Sequence, residues 1–193
     1  MLKANPKIEI LSRICDTTKP DDVKKLAEAV QDKFHGRLDV VIANAGVISK
    51  YLHDEDPATG AKTNRRLPVG IVEDDYFGRV IDINLMGSYY VAKYFTPILT
   101  AEANKSLVRA YVVITSIAAH LTQSNFVPTA YNLTKIGVVR MVEHMHNDHS
   151  KGLDGGGGRG LVAYAVHPGA VVTPQTQLHS TQKGDAWEQR KFS

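Results

Sequence analysis

The chain has 193 residues, 43% hydrophobic and 22% charged, with a formal net charge of +3 and a single cysteine. That is apolar material for one globular domain; the charges are interspersed, which argues against nucleic-acid and membrane binding, and Cys15 alone excludes an internal disulfide and fits a reducing compartment. Met1 to Pro6 carries no apolar signal core, and no run of about 18 uncharged apolar residues follows, so a cytoplasmic protein is expected.

Ile8 to Ile14 reads as a strand, with Asp16 just past its end. Pro20 suits the start of a helix near Asp21, whose Val23, Leu26, Ala27 and Val30 form an apolar stripe for packing on a sheet. Leu38 to Ala43 is a continuous apolar strand. Asn44-Ala45-Gly46 turns out of it: small residues there let a backbone come close to a cofactor, and the Asn amide can tie neighbouring strand ends, although a plain tight turn has the same composition. Residues 49 to 70, with Pro57, Gly60, Arg65, Arg66 and Pro68, read as a polar loop, an insertion taken as a solvated excursion rather than the rim of an entrance. Glu73 to about Ala101 reads as one long helix, acidic in its first turn. Asn84 lies inside it, where Asn has poor propensity, and Gly87 permits close packing.

The stretch from Arg109 to Arg140 carries the chemistry. Tyr111 to Thr115 is a β-branched run of strand length that ends at Ser116. Thr129 or Asn125 is expected to cap the helix that follows, which runs to about Asn147 and carries Tyr131 and Lys135 on one face. A free phenol, with a pKa of about 10, is a poor base at neutral pH, whereas a cation beside it favours the phenolate. Ser116, with Thr115 as a fallback, would hold a carbonyl or hydroxyl oxygen while Tyr131 exchanges its proton. A hydride must still move, and that needs a nicotinamide.

The same helix is apolar on two faces, with Ala130, Gly137, Val138, Met141 and Met145 on one and Ile136, Val139 and Val142 on another. One suits the sheet and the second a partner. His144, His146 and His149 are placed as helix C-terminal polar residues; no carboxylate-plus-His framework converges on them, so no metal is expected. Two motif matches are rejected on context. Tyr89 and Lys93 repeat the Tyr/Lys spacing without a preceding strand-ending serine. Gly155, Gly157 and Gly160 spell G-x-G-x-x-G, yet they precede the strand Leu161 to Val166 instead of following one, and are expected to be a flexible turn. His167-Pro168-Gly169 ends that strand.

Taken together, Ser116, Tyr131-Asn132-Leu133-Thr134-Lys135 and His167-Pro168-Gly169 resemble the Ser…YxxxK…PG signature of the short-chain dehydrogenase/reductase family. Cys15-Asp16-Thr17, Asn44-Ala45-Gly46 and Asp82-Ile83-Asn84-Leu85 are similar to further family motifs, in the family's order. The resemblance implies an α/β fold, a three-layer Rossmann-like parallel sheet. It also implies that the sheet is incomplete: the glycine-rich first βαβ unit and the last strand have no counterpart, so residues 1–193 would be a single partial NAD(P)-binding domain of a longer enzyme. The apolar edge Val40-Val41-Ile42 would then be unpaired and a pyrophosphate would lack its helix N-terminus. Ser116 and Tyr131 are separated by 15 positions, two more than the family's commonest arrangement.

By resemblance the catalytic residues are Asn84, supporting a water relay, Ser116, positioning the substrate oxygen, Tyr131, acting as acid/base, and Lys135, lowering the phenol pKa and holding ribose hydroxyls. The implied cofactor is NAD or NADP, held by Asp16, Thr17, Asn44, Ala45, Gly46, Tyr131, Lys135, Pro168, Gly169, Val171 and Thr173, with Pro174 to Ser193 opening a substrate-covering segment. The implied partner is a small-molecule alcohol or carbonyl compound, and the full-length form is expected to be a homodimer or homotetramer. A sugar-nucleotide epimerase-like reaction and a non-catalytic remnant acting only by subunit association are the alternatives.

Overall fold

A computed structural model of the chain describes residues 8–49, 52–55, 58–67, 70–72, 74–101, 104, 109–122, 127–150, 160–169 and 171. In chain order the elements are α1 (Pro20–Lys33), β1 (Val40–Ala43), β2 (Leu52–Glu55), β3 (Lys62–Leu67), α2 (Phe77–Val80), a π-helical segment (Ile81–Met86), α3 (Gly87–Leu99), β4 (Ala110–Ile114), a 3-10 turn (Ile117–His120), α4 (Thr129–His149) and β5 (Val162–Val166). The β-branched runs form a parallel three-stranded sheet in the order β1-β4-β5. Val41 lies opposite Tyr111 in β4, and Tyr111 opposite Ala163 in β5. Because all three strands point the same way, Asn44, Ser116 and His167 leave the sheet at one edge. This is the α/β parallel sheet expected from the sequence, and it is incomplete.

Side chains alternate across a strand, and here the alternation divides a core from an open face. Val41, Ala43, Tyr111, Val113 and Ala163 form one cluster with Val23 and Ala27 of α1, Phe95 and Leu99 of α3, and Val138 and Val142 of α4. On the opposite face Val40, Ile42, Tyr164 and Val166 are 40–61% exposed. The helices therefore make one layer against one face, whereas the continuous apolar runs had read as strands covered on both.

Four expectations are corrected. Ile8 to Ile14 is not a strand: Ile8, Ile10 and Ile14 are exposed, because an isolated apolar run without a ladder partner gains nothing from extension. Within residues 49 to 70 there is a hairpin rather than a loop. β2 and β3 pair antiparallel, with Leu52 opposite Leu67 and a register irregularity between His53 and Glu55. Its charged sequence hid the period-two signal. The turn uses Gly60 at φ +67, and the Ser49 hydroxyl donates to Asp74 Oδ2 at 2.8 Å across the base of the excursion. The long helix is continuous only from Phe77 to Leu99 and passes through the π segment. Finally, α4 begins after Pro128 with no side-chain cap, so Thr129 does not cap it, while Asn125 lies outside the described residues.

Buried polar groups close the remaining joints. Asn104, with no exposed surface, accepts from Leu38 N–H at 3.3 Å and donates to Gly36 C=O at 2.9 Å and Ile98 C=O at 2.8 Å, so one amide joins the ends of α1 and α3 to the entry of β1. A half-satisfied amide in that place would be costly. No helix among the described residues is long and apolar enough to cross a membrane.

The alternation makes neighbouring residues opposite in consequence. Val41→Lys should abolish cooperative unfolding. Ile42→Lys should leave helix content unchanged and reduce self-association in analytical ultracentrifugation, since it breaks an exposed apolar patch. Equal disruption by both would show that the open face is covered.

Candidate active site

Strand β4 ends where the chemistry begins. Thr115 N–H still bonds Val166 C=O at 2.9 Å, extending the pairing by one residue so that Ser116 is held at the sheet's edge. The Ser116 side chain accepts from Ala118 N–H at 3.2 Å and caps the 3-10 turn. Thr115, buried, donates its hydroxyl to Lys135 C=O at 3.0 Å. It is committed to that bond, which leaves Ser116 as the hydroxyl available at the edge.

Helix α4 supplies the other two groups. The Tyr131 phenol lies near enough to the Ser116 hydroxyl to be influenced by it, and Lys135 Nζ lies 5.3 Å from the centroid of the Tyr131 ring. The structure thus gathers Ser116, Tyr131 and Lys135 in one place. Their electrostatics differ from the expectation that the ammonium makes the phenol acidic. Burial pushes the Tyr131 phenol above its ordinary value, and the nearby Ser116 hydroxyl pulls only part of the way back. Lys135 Nζ turns to Ile114 C=O at 2.7 Å, and burial lowers its own pKa to about 8. A buried phenol prefers its neutral form, so at neutral pH Tyr131 keeps its proton.

Asn84 is drawn into the site by the π segment that contains it; such wide turns occur mostly at functional places. It is 2% exposed and its amide is fully engaged. Oδ1 accepts from Val47 N–H at 2.8 Å, and Nδ2 donates to Val47 C=O at 2.8 Å and to Thr134 Oγ1 at 3.2 Å. The amide expected to tie neighbouring strand ends is that of Asn44; the amide that joins the turn after β1 to α4 is instead that of Asn84. Asn44 is exposed and forms no side-chain hydrogen bond among the described residues.

The remaining residues fall into two groups. Asn44, Ala45 and Gly46 line the exposed turn after β1. A Cβ on Gly46 would stand 3.4 Å from Asn84 Oδ1 and 3.7 Å from Lys135 Nζ, so the glycine keeps the space beside both open. His167, Pro168, Gly169 and Val171 are exposed beyond β5, with Gly169 at φ +82; Thr173, Gly155, Gly157 and the segment Pro174 to Ser193 lie outside the described residues. Asp16 is bound locally, accepting from Thr18 N–H at 3.0 Å and Thr18 Oγ1 at 2.8 Å. That is a turn ahead of α1, and these bonds hold its carboxyl below the ordinary range. Thr17 faces α3 rather than the sheet edge: a Cβ on Gly87 would come within 2.9 Å of Thr17 Oγ1.

Sequence reasoning missed Thr134, which sits between Asn84 and the Tyr131 backbone. Its only signal was a threonine inside a helix, where hydroxyls compete for backbone bonds. Lys93 of the second Tyr/Lys pair interacts with Tyr94, 5.4 Å from its ring centroid, and Tyr89 is exposed on α3. Among the described residues no group of three or more His, Cys, Asp or Glu could hold a metal ion.

A strand-ending serine facing a tyrosine and lysine one helical turn apart, on a parallel sheet, defines a class, and the comparisons name it. The model of the short chain dehydrogenase family matches residues 1–184; the chain belongs to this family. It is 29% identical over 167 residues to the short chain dehydrogenase pgmD of Aspergillus terreus, covering 86% of this chain and 47% of that protein. The chain thus spans about half the length of the curated relatives it matches. Among solved structures it is similar to an NADPH-dependent 3-quinuclidinone reductase from Rhodotorula rubra, with TM-score 0.62, 25% identity and 90% of this chain and 54% of that chain covered. Levodione reductase matches in fold, with TM-score 0.69 at 22% identity over 98% of this chain and 62% of that one. The cofactor that goes with the family is NAD or NADP.

Lys135 releases its proton at lower pH folded than unfolded, so between about 8 and its ordinary 10.5 the unfolded chain binds more protons. Stability therefore rises with pH through that window and is lost as pH falls through about 8. Lys135→Met should remove this component. The stability difference between variant and wild type in urea unfolding should change by up to about 1.4 kcal/mol per pH unit between roughly pH 8 and 10; a pH-independent difference would contradict the buried-amine geometry.

Proposed function

We propose that this chain carries the proton-transfer half of an NAD(P)-dependent oxidoreductase that interconverts an alcohol and a ketone or aldehyde. The observation that carries the reading is the gathering of Lys135, 5.3 Å from the Tyr131 ring on α4, with Ser116 just past the end of the central strand. A substrate carbonyl oxygen seated between Ser116 and Tyr131 accepts a hydrogen bond from the serine and the phenolic proton from the tyrosine. Tyr131 is suited to giving that proton because burial keeps it protonated. When bound, the nicotinamide supplies the hydride for reduction or takes it up in oxidation. Lys135, next to the gap kept by Gly46, holds ribose hydroxyls and returns positive charge to the phenol as its proton leaves. Asn84 keeps that corner in place and supports the proton path away from Lys135.

Asn44, Ala45 and Gly46 would accept the cofactor's backbone closely at the ribose end, while Pro168, Gly169, Val171 and Thr173 would hold the nicotinamide end. Asp16 and Thr17 would meet the adenine end; the local bonds of Asp16 and the packing of Thr17 on α3 make this the weakest fit. The turn before α1, Cys15-Asp16-Thr17-Thr18-Lys19, contains no glycine, so it gives a pyrophosphate no glycine-rich helix start to lie against. The residues present fit the nicotinamide and ribose and not the phosphates. Subunits would pair through α4, whose Leu133 and Ile136 are exposed.

Two measurements test the reading. With a cyclic ketone and millimolar NADPH, Tyr131→Phe should lower turnover by about 10²-fold or more and Ser116→Ala by a smaller factor, with circular dichroism unchanged; wild-type turnover in Tyr131→Phe would overturn it. NADPH titrated into this 193-residue chain should show no saturation in the micromolar range, and tight binding would contradict the account of the phosphate end.

A further inference from the structure

The YxxxK segment contains a residue whose position is unusual for its type. Thr134 has no exposed surface, yet threonine is a poor interior helix former, and a hydroxyl bonded back to the preceding turn slightly weakens a helix. A buried hydroxyl must also find partners. Thr134 has two: it donates to Tyr131 C=O at 2.8 Å and accepts from Asn84 Nδ2 at 3.2 Å. That amide is in turn bonded through both of its polar atoms to Val47 N–H and C=O, each at 2.8 Å. A continuous path thus runs from the turn after β1, through the π segment, to the main chain of Tyr131. One position on, Thr115 Oγ1 at the end of β4 holds Lys135 C=O at 3.0 Å. Two hydroxyls therefore pin the first turns of α4, one at the backbone of Tyr131 and one at that of Lys135, and both are buried.

We propose that Thr134 is a positioning residue: its buried hydroxyl, held between the Asn84 amide and the Tyr131 carbonyl, sets where α4 presents Tyr131 to Ser116. This rests on the reading of Tyr131 as the proton carrier. Without the hydroxyl, Asn84 still has Val47, so the corner survives, but the Tyr131 backbone loses its only tie to it. The phenol then drifts from Ser116 while remaining buried among the same apolar groups. The nearby Ser116 hydroxyl is what favours the phenolate, so a phenol drawn away from it ionises at still higher pH. Lys135, the charged group facing the ring, is held independently by Ile114 C=O and moves less.

The test is nuclear magnetic resonance titration of the full chain, carbon-labelled at the tyrosine Cζ, with Tyr131→Phe used to assign the resonance. In Thr134→Val, isosteric but without the hydroxyl, the Tyr131 midpoint should rise by about half a pH unit, and in Thr134→Ser it should return to the wild-type value. Thr134→Ala serves the same purpose if the valine variant does not fold. An unchanged or lowered midpoint in a folded Val or Ala variant, or a serine variant that shifts equally, overturns the proposal. The readout does not depend on turnover: if Tyr131→Phe retains NADPH-dependent activity, the oxidoreductase reading fails while the Thr134 result is still decided by the titration.

Discussion

The bond on which the rest depends is the two-way hydrogen bond between the Asn84 amide and the Val47 backbone. A backbone turn and a helix side chain that exchange both a donor and an acceptor cannot slide past one another without leaving buried polar groups unpaired, at a cost of roughly 1–3 kcal/mol each. That constraint fixes the exit of β1 against the π segment. Through Thr134 it also fixes the start of α4. Gly46 and Lys135 are then neighbours by necessity, with room for little more than a methyl group between them. The site is a place where three chain segments have been locked, and Ser116 arrives there because β4 is the central strand of the sheet.

Burial gives the two reactive groups opposite tendencies. The phenol of Tyr131 is held in its neutral form and the amine of Lys135 loses its proton more readily than a free lysine. The same desolvation explains both, since it penalises whichever form is charged. A site arranged this way is ready to protonate an oxygen before it is ready to take a proton. Tyr111 shows that burial alone is not chemistry. Its phenol is also shifted upward by desolvation, yet it donates to Ser88 C=O at 2.8 Å inside the core and meets no strand edge.

The elements and the site were legible to different depths. The three sheet strands, α1 and α4 followed from apolar periodicity, and Ser116, Tyr131 and Lys135 from strand-then-helix context, because these are local patterns. The hairpin of β2 and β3 was not, since its charged sequence carries no apolar alternation to read. The role exchange between Asn44 and Asn84 was hidden for another reason: which of two amides ties a turn depends on a π turn that rotates one of them inward, and propensity carries no such information. Thr134 and Asn104 were missed likewise, because each has a decisive partner far off in sequence, Asn84 at 50 positions and Gly36 at 68. The single helical layer could not be inferred from β1 and β5, whose apolar runs look alike whether one face or both are covered.

That open face and the glycine-free turn before α1 belong together on the proposed reading, in which the nicotinamide end of the site would be assembled on residues of this chain and the pyrophosphate end would not. The central claim concerns the assembled end, and phenol ionisation followed by ultraviolet difference between wild type and Tyr131→Phe tests it most directly. The account predicts a Tyr131 midpoint above the ordinary 10.0 of tyrosine. A midpoint below that value would mean that the ammonium, not burial, governs the phenol, and would contradict the description of Tyr131 as a poised acid.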